Sequence, residues 1–385
     1  MLVAFGSLGA VLMTPALPEI AHYFDIPSHT AKLVVTFYLI GYALGQLIYG
    51  SIANHMGRKK AYFIGLSVAT VGSILSILSS LFESFGVLLC GRFIEALGMS
   101  CGLVLSQTVI GDFYHKKKAQ LTLSILYLGV TVVAGLAVII GGLITQYFKW
   151  QMCFYFFLVY GIILYIPTLF LPETGTIHKL HKKGVNAPIK SLISPFKGST
   201  LVLFSLVGGL GTACVYIFAA EGPIIGITFL KMDPARYGLL NVLPVAGMLL
   251  GTLFTALYLK KNAVTMRFVH FGFFLQIFVS ALVLITLLNK EISSYLLFIP
   301  TFFILLGTTL VGTKLRALCV INAKDTATAA SLVGFMSLAI PCVATFILSM
   351  ISYASPILLP LFFLSLSSLA CLFYLAVRLS KRVQF

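Results

Sequence analysis

The sequence predicts an all-α integral membrane protein with twelve transmembrane helices in two six-helix, pseudo-symmetric halves. The chain of 385 residues is 59% hydrophobic and 9% charged, whereas about 25% of the residues in an ordinary soluble domain are charged. Charge-poor apolar runs occur twelve times, and one long polar segment separates the first six from the last six. Twelve spans of about 20 residues leave no room for a folded domain outside the membrane, so the composition excludes a soluble enzyme.

The apolar runs are each long enough to cross a bilayer, and we number them span 1 to span 12. They lie near residues 1–20, 33–53, 61–82, 84–111, 119–148 and 150–171, and then near 199–221, 237–259, 268–289, 292–313, 326–353 and 355–377. The first run has no basic n-region, which favours a membrane span over a cleaved signal peptide. Glycines at four-residue spacing in spans 2 and 8 predict close helix packing in both halves.

The polar segment 172–198 contains Pro172, Gly184, Pro188, Pro195 and five Lys. We expect it to be a cytoplasmic linker between an N-terminal bundle, 1–171, and a C-terminal bundle, 199–385. Most of the 26 Lys and Arg residues fall in this segment and in the other loops predicted on the same side. The positive-inside rule therefore places both termini in the cytoplasm, and the basicity does not predict a nucleic-acid partner.

The sequence predicts no cofactor, metal or catalytic centre. All seven Cys fall in or at the edge of apolar runs without a C-x-x-C pair, which is typical of small buried side chains. His178 and His181 are the only closely spaced histidines, and they lie in the polar segment. No Walker-type nucleotide loop occurs, so nucleotide hydrolysis by this chain is not expected.

The loop after span 2 is Gly50-Ser-Ile-Ala-Asn54-His-Met-Gly57-Arg58-Lys-Lys60, a glycine turn followed by basic residues. It resembles the cytoplasmic gate motif of the major facilitator superfamily, and the resemblance implies a gate at Gly50, Asn54, Gly57 and Arg58. In that family an acidic residue usually stands at position 54, where it caps a neighbouring helix and pairs with Arg. Asn54 keeps a hydrogen-bond acceptor without the charge. The alternative role of the basic residues is membrane anchoring.

Further stretches, in matching order along nearly the whole chain, resemble the twelve-helix drug:proton antiporters, in particular the Bcr/CflA-like branch. They are Leu8-Gly9, Pro15-Ala-Leu-Pro18, Trp150 with Phe154, Leu171-Pro-Glu-Thr174, Glu221-Gly-Pro223 and Ala327-Thr-Ala-Ala-Ser-Leu-Val-Gly334. Two positions depart from that pattern. Val11 stands where an Asp is common, and the span 5 sequence Ala137-Val138-Ile-Ile-Gly141-Gly142 lacks the Pro of the antiporter motif.

Four charged residues inside the spans are candidates for function: Arg92, Glu95, Glu221 and Lys314. A charge at the centre of a span costs roughly 2.5 to 3.5 kcal/mol on insertion scales, so each needs a partner or a water-filled cavity. Arg92 and Glu95 are three residues apart and should pair on one helix face. The pair is either self-neutralising, so that the helix can insert, or a proton switch, since a carboxylate holds a proton in dry surroundings and releases it beside Arg. Arg92 resembles the span 4 arginine of the superfamily, which implies proton transfer.

The remaining candidates are polar residues whose sequence context leaves alternatives open. The Gly-Pro pair after Glu221 should break or end span 7, which leaves Glu221 as a cation attractor at the outer mouth or as an interfacial residue. Glu19 is expected at the interface, and Lys314 with Arg316 should close span 10 as anchors. Six others either line a binding cavity or make helix-packing hydrogen bonds: Tyr42, Gln46, Gln107, Tyr127, Tyr216 and Asn241.

The sequence therefore predicts a monomeric secondary active transporter of the bacterial cytoplasmic (inner) membrane. We expect it to export a small amphipathic or cationic compound in exchange for protons, with Arg92 and Glu95 as the coupling pair. One alternative is a proton symporter or a uniporter for a metabolite or siderophore, which Val11 and the altered span 5 motif favour. An alternative of another class is a non-transporting membrane sensor or an intramembrane enzyme.

Overall fold

A computed structural model describes residues 2–114, 116–174, 199–261, 266–289, 292–321, 326–352 and 355–379. In that part of the chain every regular element is a helix, which confirms the predicted fold class. The chain divides into two compact units, Met1–Pro188 and Ile189–Phe385. The predicted linker lies outside the described residues from residue 175 onwards, as do Lys290, Lys324, Lys381 and Arg382 of the charge pattern.

The first unit contains spans 1 to 6. Span 1 consists of helix Ala4–Val11, a 3-10 turn at Thr14–Ala16 and helix Leu17–Tyr23. The following helices are Ser28–Ala31 and Leu33–Met56 in span 2, Arg58–Leu78 in span 3, Phe85–Met99 and Cys101–Phe113 in span 4, Lys116–Tyr147 in span 5 and Gln151–Leu169 in span 6.

The second unit contains spans 7 to 12. Its helices are Ser199–Pro223 and the π-helix Ile224–Phe229 in span 7, Pro234–Leu240 and Val242–Lys261 in span 8, Arg267–Asn289 in span 9, Ser294–Ile321 in span 10, Thr326–Met350 in span 11 and Leu358–Leu379 in span 12. Within the described residues, twelve helical segments are long and apolar enough to cross a membrane. The predicted number of spans is confirmed.

Span 1 is interrupted because two prolines remove backbone donors. Pro15 and Pro18 have no N–H, so the carbonyls of Val11 and Thr14 lose the partners that a continuous helix would give them. The Thr14 hydroxyl donates to Val11 O at 2.8 Å instead. The first helix of span 1 therefore ends in the middle of the span.

Span 5 packs directly against this interruption. A Cβ atom at Gly141 would overlap the backbone carbonyl of Leu12, so position 141 requires glycine. The altered span 5 motif thus keeps a close approach to span 1 without the proline of the family pattern.

The α-helix of span 7 ends at Pro223, as predicted, but the span itself does not end there. Helix Ser199–Pro223 continues directly into the π-helix Ile224–Phe229. Pro223 removes one donor, and the change to i→i+5 hydrogen bonding that follows keeps the segment helical. Glu221 therefore lies within a continuous span and is 0% exposed, rather than at a helix end near the interface.

Span 10 ends at Leu315, close to the predicted residue 313, but its helix continues to Ile321. Helix Ser294–Ile321 passes Lys314 and Arg316, because basic residues favour the helix nearly as well as Leu and the end of an apolar run is not the end of a helix. Lys314 is 5% exposed, and its role as an anchor or as a residue that faces the cavity stays a prediction. The side chain of Arg316 lies outside the described residues.

The two units repeat the same helix contacts. In the first unit span 2 packs against span 4, span 3 against spans 4 and 6, and span 1 against span 5. In the second unit the matching pairs are spans 8 and 10, spans 9 and 10, spans 9 and 12, and spans 7 and 11. Each unit is therefore built on the same plan.

Glycines make the closest of these contacts, as their spacing predicts. In each case a Cβ atom would overlap or crowd a carbonyl of the neighbouring span. The glycine and the residue whose carbonyl it approaches are Gly41 and Phe93, Gly45 and Leu97, Gly65 and Gly98, Gly247 and Phe302, Gly251 and Leu306, and Gly272 and Gly307. These matched contacts align spans 3 and 4 with spans 9 and 10, residue by residue.

The substitution Gly41→Ala should destabilise the protein, because its Cβ would overlap the Phe93 carbonyl, a backbone atom that cannot turn aside. Overpacking of this kind costs about 1 to 3 kcal/mol, so the apparent melting temperature in detergent should fall by about 2 to 10 °C. Gly50→Ala is the control on the same helix, because nothing lies within 4 Å of its added Cβ. Equal melting temperatures for the two variants would contradict the packing argument.

Candidate functional site

Arg92 and Glu95 form a buried ion pair in the first unit. Both belong to helix Phe85–Met99 of span 4, and both are 0% exposed. Arg92 Nη1 donates to Glu95 Oε2 at 2.5 Å. The contact expected from their three-residue spacing is therefore present.

Arg92 is also held by spans 1, 2 and 6. Its Nη2 atom donates to Gly9 O at 2.8 Å, near the end of the first helix of span 1. Carbonyls at a helix C-terminus carry partial negative charge, so this helix end stabilises the guanidinium. The Cζ atom lies 4.3 Å from the ring centroid of Tyr38 and 5.8 Å from those of Phe154 and Phe157, within the range of cation–π attraction.

The second carboxylate oxygen of Glu95 is bound by span 3. Ser73 Oγ donates to Glu95 Oε1 at 2.7 Å. The neighbouring Gly72 packs so closely that a Cβ atom there would overlap the backbone of Glu95, and this approach brings Ser73 to the carboxylate. Both oxygens of Glu95 therefore have hydrogen-bond donors within the first unit.

The second unit has the same framework without these charges. The matched glycine contacts make Thr301 the counterpart of Arg92 and Ile304 the counterpart of Glu95. Thr301 and Ile304 are both buried. The close packing of these spans therefore does not depend on an ion pair.

Gly57 forms the turn between spans 2 and 3, as the gate motif predicts. Its φ of 91° lies in the left-handed region that favours glycine, and it is the N-cap residue of helix Arg58–Leu78. A Cβ atom at Gly57 would also collide with the carboxylate of Glu173. Two separate constraints thus require glycine at this position.

Glu173 caps the first turn of span 3. The backbone N–H of Arg58 donates to Oε1 at 2.8 Å, and that of Lys59 donates to Oε2 at 3.1 Å. The first N–H groups of a helix have no helical partners, and a carboxylate also suits the positive end of the helix dipole. Lys59 Nζ donates to Leu169 O at 2.6 Å, so the end of span 6 is bound to the beginning of span 3.

The Arg58 side chain pairs with Asp112 at the end of span 4. Arg58 Nε donates to Asp112 Oδ2 at 2.9 Å, and Nη1 donates to Ala53 O at 3.0 Å. The Asn54 side chain makes no hydrogen bond with the described residues of this unit. Glu173 and Asp112 therefore perform, within the first unit, the capping and pairing expected of an acid at position 54. Gly50 faces open space.

Sequence analysis missed Asp112 and identified Glu173 only as part of a family motif. The available signal is that Asp112 is the only acidic residue between Glu95 and Glu173. It also lies on the same predicted side of the membrane as Arg58. A search for an acidic residue at the span ends on the same side of the membrane as Arg58 would have found Asp112.

The other predicted cavity residues are divided between the two units. Tyr42 and Gln46 belong to span 2 and Gln107 to span 4, whereas the side chain of Tyr127 lies outside the described residues. Tyr42 is stacked on Tyr38 with ring centroids 5.9 Å apart, so it lies next to the ring that covers Arg92.

The second unit holds the remaining candidates. Tyr216 and Glu221 belong to span 7, and Asn241 occupies the junction between the two helices of span 8. Glu221 and Asn241 are buried.

Twelve membrane spans in two units of the same plan are the architecture of a multi-pass membrane transporter. The Major Facilitator Superfamily profile matches residues 1–345, and the chain belongs to this family. It is a secondary transporter, whose partners are a small-molecule substrate and the membrane. It is not an enzyme, and family membership excludes the alternative of a sensor or an intramembrane enzyme.

Bacterial transporters of low sequence identity are among the relatives of this chain. An uncharacterized transporter of Rickettsia bellii is 27% identical over 384 residues, which cover 97% of this chain and 94% of the relative. Multidrug resistance protein D of Escherichia coli is 26% identical over 261 residues, 66% of this chain and 63% of the relative. Multidrug resistance protein MdtL of Escherichia coli is 28% identical over 249 residues, 62% of this chain and 61% of the relative.

Solved transporter structures share the fold. A D-xylose-proton symporter matches with a TM-score of 0.75 at 13% identity, over 99% of this chain and 96% of the symporter. The nucleoside transporter NupG matches with a TM-score of 0.74 at 11% identity, over 99% of both chains. At these identities the likeness shows the fold alone.

The substitution Glu173→Ala removes the cap and should speed the hydrogen exchange of the backbone amides in the first turn of span 3. A helix cap is worth about 0.5 to 2 kcal/mol, so the amides of Arg58 and Lys59 should exchange with deuterium about twofold to thirtyfold faster. Hydrogen–deuterium exchange with mass spectrometry measures this in a peptide covering the turn.

Asn54→Ala is the matched control for this measurement, because it removes a polar side chain from the same motif without removing a described hydrogen bond. We expect its exchange to match that of the unmodified protein. A faster exchange in Asn54→Ala than in Glu173→Ala would show that position 54, and not Glu173, caps the helix.

Proposed function

We propose that this protein exports a small amphipathic or cationic compound in exchange for protons by alternating access, with Arg92 and Glu95 as its coupling pair. The buried ion pair is the observation that carries the proposal. Each charge inside a span costs roughly 2.5 to 3.5 kcal/mol on insertion scales, yet the second unit makes the same helix contacts with Thr301 and Ile304. Because the packing does not need the charges, a role in transport explains why they are there.

Proton uptake changes the charge of this site. With Glu95 ionised the pair is neutral, and with Glu95 protonated the site carries the positive charge of Arg92. The guanidinium then keeps its hydrogen bond to Gly9 O and its contact with Tyr38. A cation in the same half is repelled by the protonated state and tolerated by the ionised state. Such opposition between cation and proton is what antiport requires.

The proposed substrate class is supported by the charge of the Arg92–Glu95 site and by the names of two relatives. Two of those relatives are called multidrug resistance proteins, which supports export of a compound foreign to the cell. We assign Glu221 as a residue that selects cations. The other proposed binding residues are Tyr42, Gln46, Gln107, Tyr127, Tyr216 and Asn241.

The remaining parts of the proposal concern the setting of the transporter. A linker at 172–198 joins the bundles 1–171 and 199–385, and the gate is formed by Gly50, Asn54, Gly57 and Arg58. The proposed setting is a monomer in the bacterial cytoplasmic membrane with both termini in the cytoplasm; the bacterial relatives support a bacterial membrane. The drug:proton antiporters of the Bcr/CflA-like branch are the proposed group within the family.

Proton symport or uniport of a metabolite or siderophore is the second candidate. Val11 ends the first helix of span 1, two residues from the Gly9 carbonyl that binds Arg92. Span 1 therefore contributes no second carboxylate beside the pair. A single acid that releases its proton with the substrate serves symport as well as antiport.

Glu95→Gln should abolish substrate-dependent proton movement, because the amide cannot take up the proton. Protein of known orientation in liposomes, with an imposed pH gradient and a panel of cationic, neutral and anionic compounds, measures both fluxes. Glu83→Gln is the matched control, since it makes the same chemical change at an exposed loop residue.

The direction of proton movement decides between the candidates. Protons that move opposite to the substrate establish antiport, and protons that move with it establish symport. Substrate flux without protons, or coupling that persists in Glu95→Gln, would make the ion pair structural and contradict the proposal.

Glu221→Gln should reduce the transport of cationic compounds at least about tenfold, the loss expected when one nearby buried charge no longer attracts a cation. Transport of neutral compounds should remain, since it does not depend on that attraction. Equal retention of both substrate classes would refute the assignment of Glu221 to charge selection.

A further inference from the structure

We infer that Ser73 is a positioning residue for Glu95, and that its hydroxyl satisfies the carboxyl group in both the ionised and the protonated state and so sets the pH range of coupling. The inference rests on the proposed function, because it concerns the proton that Glu95 carries. Ser73 lies on span 3, a different span from the ion pair that it serves.

The Ser73 hydroxyl lies between two oxygen atoms. Its Oγ atom is 2.7 Å from Glu95 Oε1 and 3.1 Å from the carbonyl oxygen of Ala69, one turn earlier on its own helix. Ser73 is buried, so water does not compete for either contact. A hydroxyl has one proton and two lone pairs, so it can donate to one of these oxygens while it accepts from another group.

This geometry allows the hydrogen bond to reverse without a change of position. When Glu95 is ionised, Ser73 donates to Oε1, and the bond is strengthened by the charge. When a proton from solution adds to Oε1, the new O–H donates to Ser73 Oγ, and the Ser73 proton turns to the Ala69 carbonyl. In both states Glu95 Oε1 and Ser73 Oγ have a hydrogen-bond partner, whereas an unsatisfied buried polar atom is costly.

The other groups around the pair cannot take this role. The titratable and charged groups that face it are Arg92 on span 4, Tyr38 and Tyr42 on span 2 and Cys153 on span 6, while span 1 presents the Gly9 carbonyl. A guanidinium has only donors and a carbonyl only acceptor capacity. Among the described residues, only Ser73 and Arg92 donate side-chain hydrogen bonds to the Glu95 carboxylate, so neither tyrosine nor Cys153 is placed to exchange a hydrogen bond with it.

Ser76 shows that this arrangement is specific to position 73. It lies one turn further along span 3 and is also buried, yet its hydroxyl has no hydrogen-bond partner in the part of the chain that the structure describes. A buried serine on this helix therefore does not bond to span 4 by default. Ser76 supplies a matched control of the same residue type, helix and burial.

The test compares Ser73→Ala, Ser73→Thr and Ser76→Ala by two measurements on the full chain in liposomes. One is the pH dependence of substrate-dependent proton movement. The other is the infrared difference signal of the protonated carboxyl group, identified as the band that is lost in Glu95→Gln. The second readout reports the proton on Glu95 directly and does not need a known substrate.

In Ser73→Ala the midpoint of both pH curves should rise by about 0.7 to 1 unit, a fivefold to tenfold increase in proton affinity. The midpoint rises rather than falls because the substitution removes a hydrogen bond from each state of Glu95, and the bond lost from the ionised state is about twice as strong as the bond lost from the protonated state. Ser73→Thr keeps a hydroxyl at this position and should keep the original midpoint. Ser76→Ala should leave both curves unchanged.

An unchanged midpoint in Ser73→Ala, or equal shifts in the Ala and Thr variants, would overturn the inference and leave the proposed function standing. If Glu95→Gln retains proton movement and loses no infrared band, the proposed function fails and the inference fails with it. Should Ser73→Ala not fold, Ser73→Cys preserves the volume with a weaker hydrogen bond. Its midpoint should then rise by a smaller amount, and an unchanged midpoint would overturn the inference.

Discussion

The candidate site of the first unit depends on one constraint, the burial of the Arg92 guanidinium. A charge removed from water is tolerated only when its donors and its charge are matched by nearby groups. The Glu95 carboxylate, the Gly9 carbonyl and the Tyr38 ring contact the guanidinium, and the Ser73 hydroxyl binds Glu95, whereas Arg92 Nε has no hydrogen-bond partner among the described residues. The interruption of span 1 and the close glycine packing of spans 3 and 4 both bring such groups within reach. The helix packing of this unit therefore brings the buried charge its partners.

The second unit separates what the fold needs from what the site needs. Spans 8, 9 and 10 repeat the contacts of spans 2, 3 and 4, but they place Thr301 and Ile304 where the first unit has a charged pair. Glycine at matched positions is sufficient to bring these helices together in lipid. The ion pair is thus added to a framework that stands without it, and the two halves of the chain differ in chemistry much more than in architecture.

The sequence was informative wherever the determining interactions are local. Composition and run length predicted the twelve spans, the spacing of Gly41 and Gly45 predicted close packing, and the three-residue spacing of Arg92 and Glu95 predicted their contact. Interactions between distant segments were not accessible, because a pattern along one helix does not specify which residue of another helix faces it. The Glu173 cap and the Asp112 pairing are of this kind. Helical structure beyond the predicted ends was not accessible for a different reason: the chain stays helical past Pro223 and Lys314 when altered hydrogen bonding compensates for the local signal.

Ser280 in span 9 occupies the position that corresponds to Ser73. It is buried, and its hydroxyl has no hydrogen-bond partner among the described residues. At the position that corresponds to Glu95, the second unit has Ile304. The second unit therefore has the buried serine of this arrangement, but no carboxyl group at the position opposite it. In a transporter coupled through such acids, the number of these positions that carry an acid determines how many protons move per cycle. Each additional proton multiplies the attainable substrate gradient by the whole transmembrane proton gradient. If the proposed coupling through Glu95 holds, the substrate gradient that such a transporter can reach is determined by the side chain at one position in each half, not by the number or arrangement of its helices.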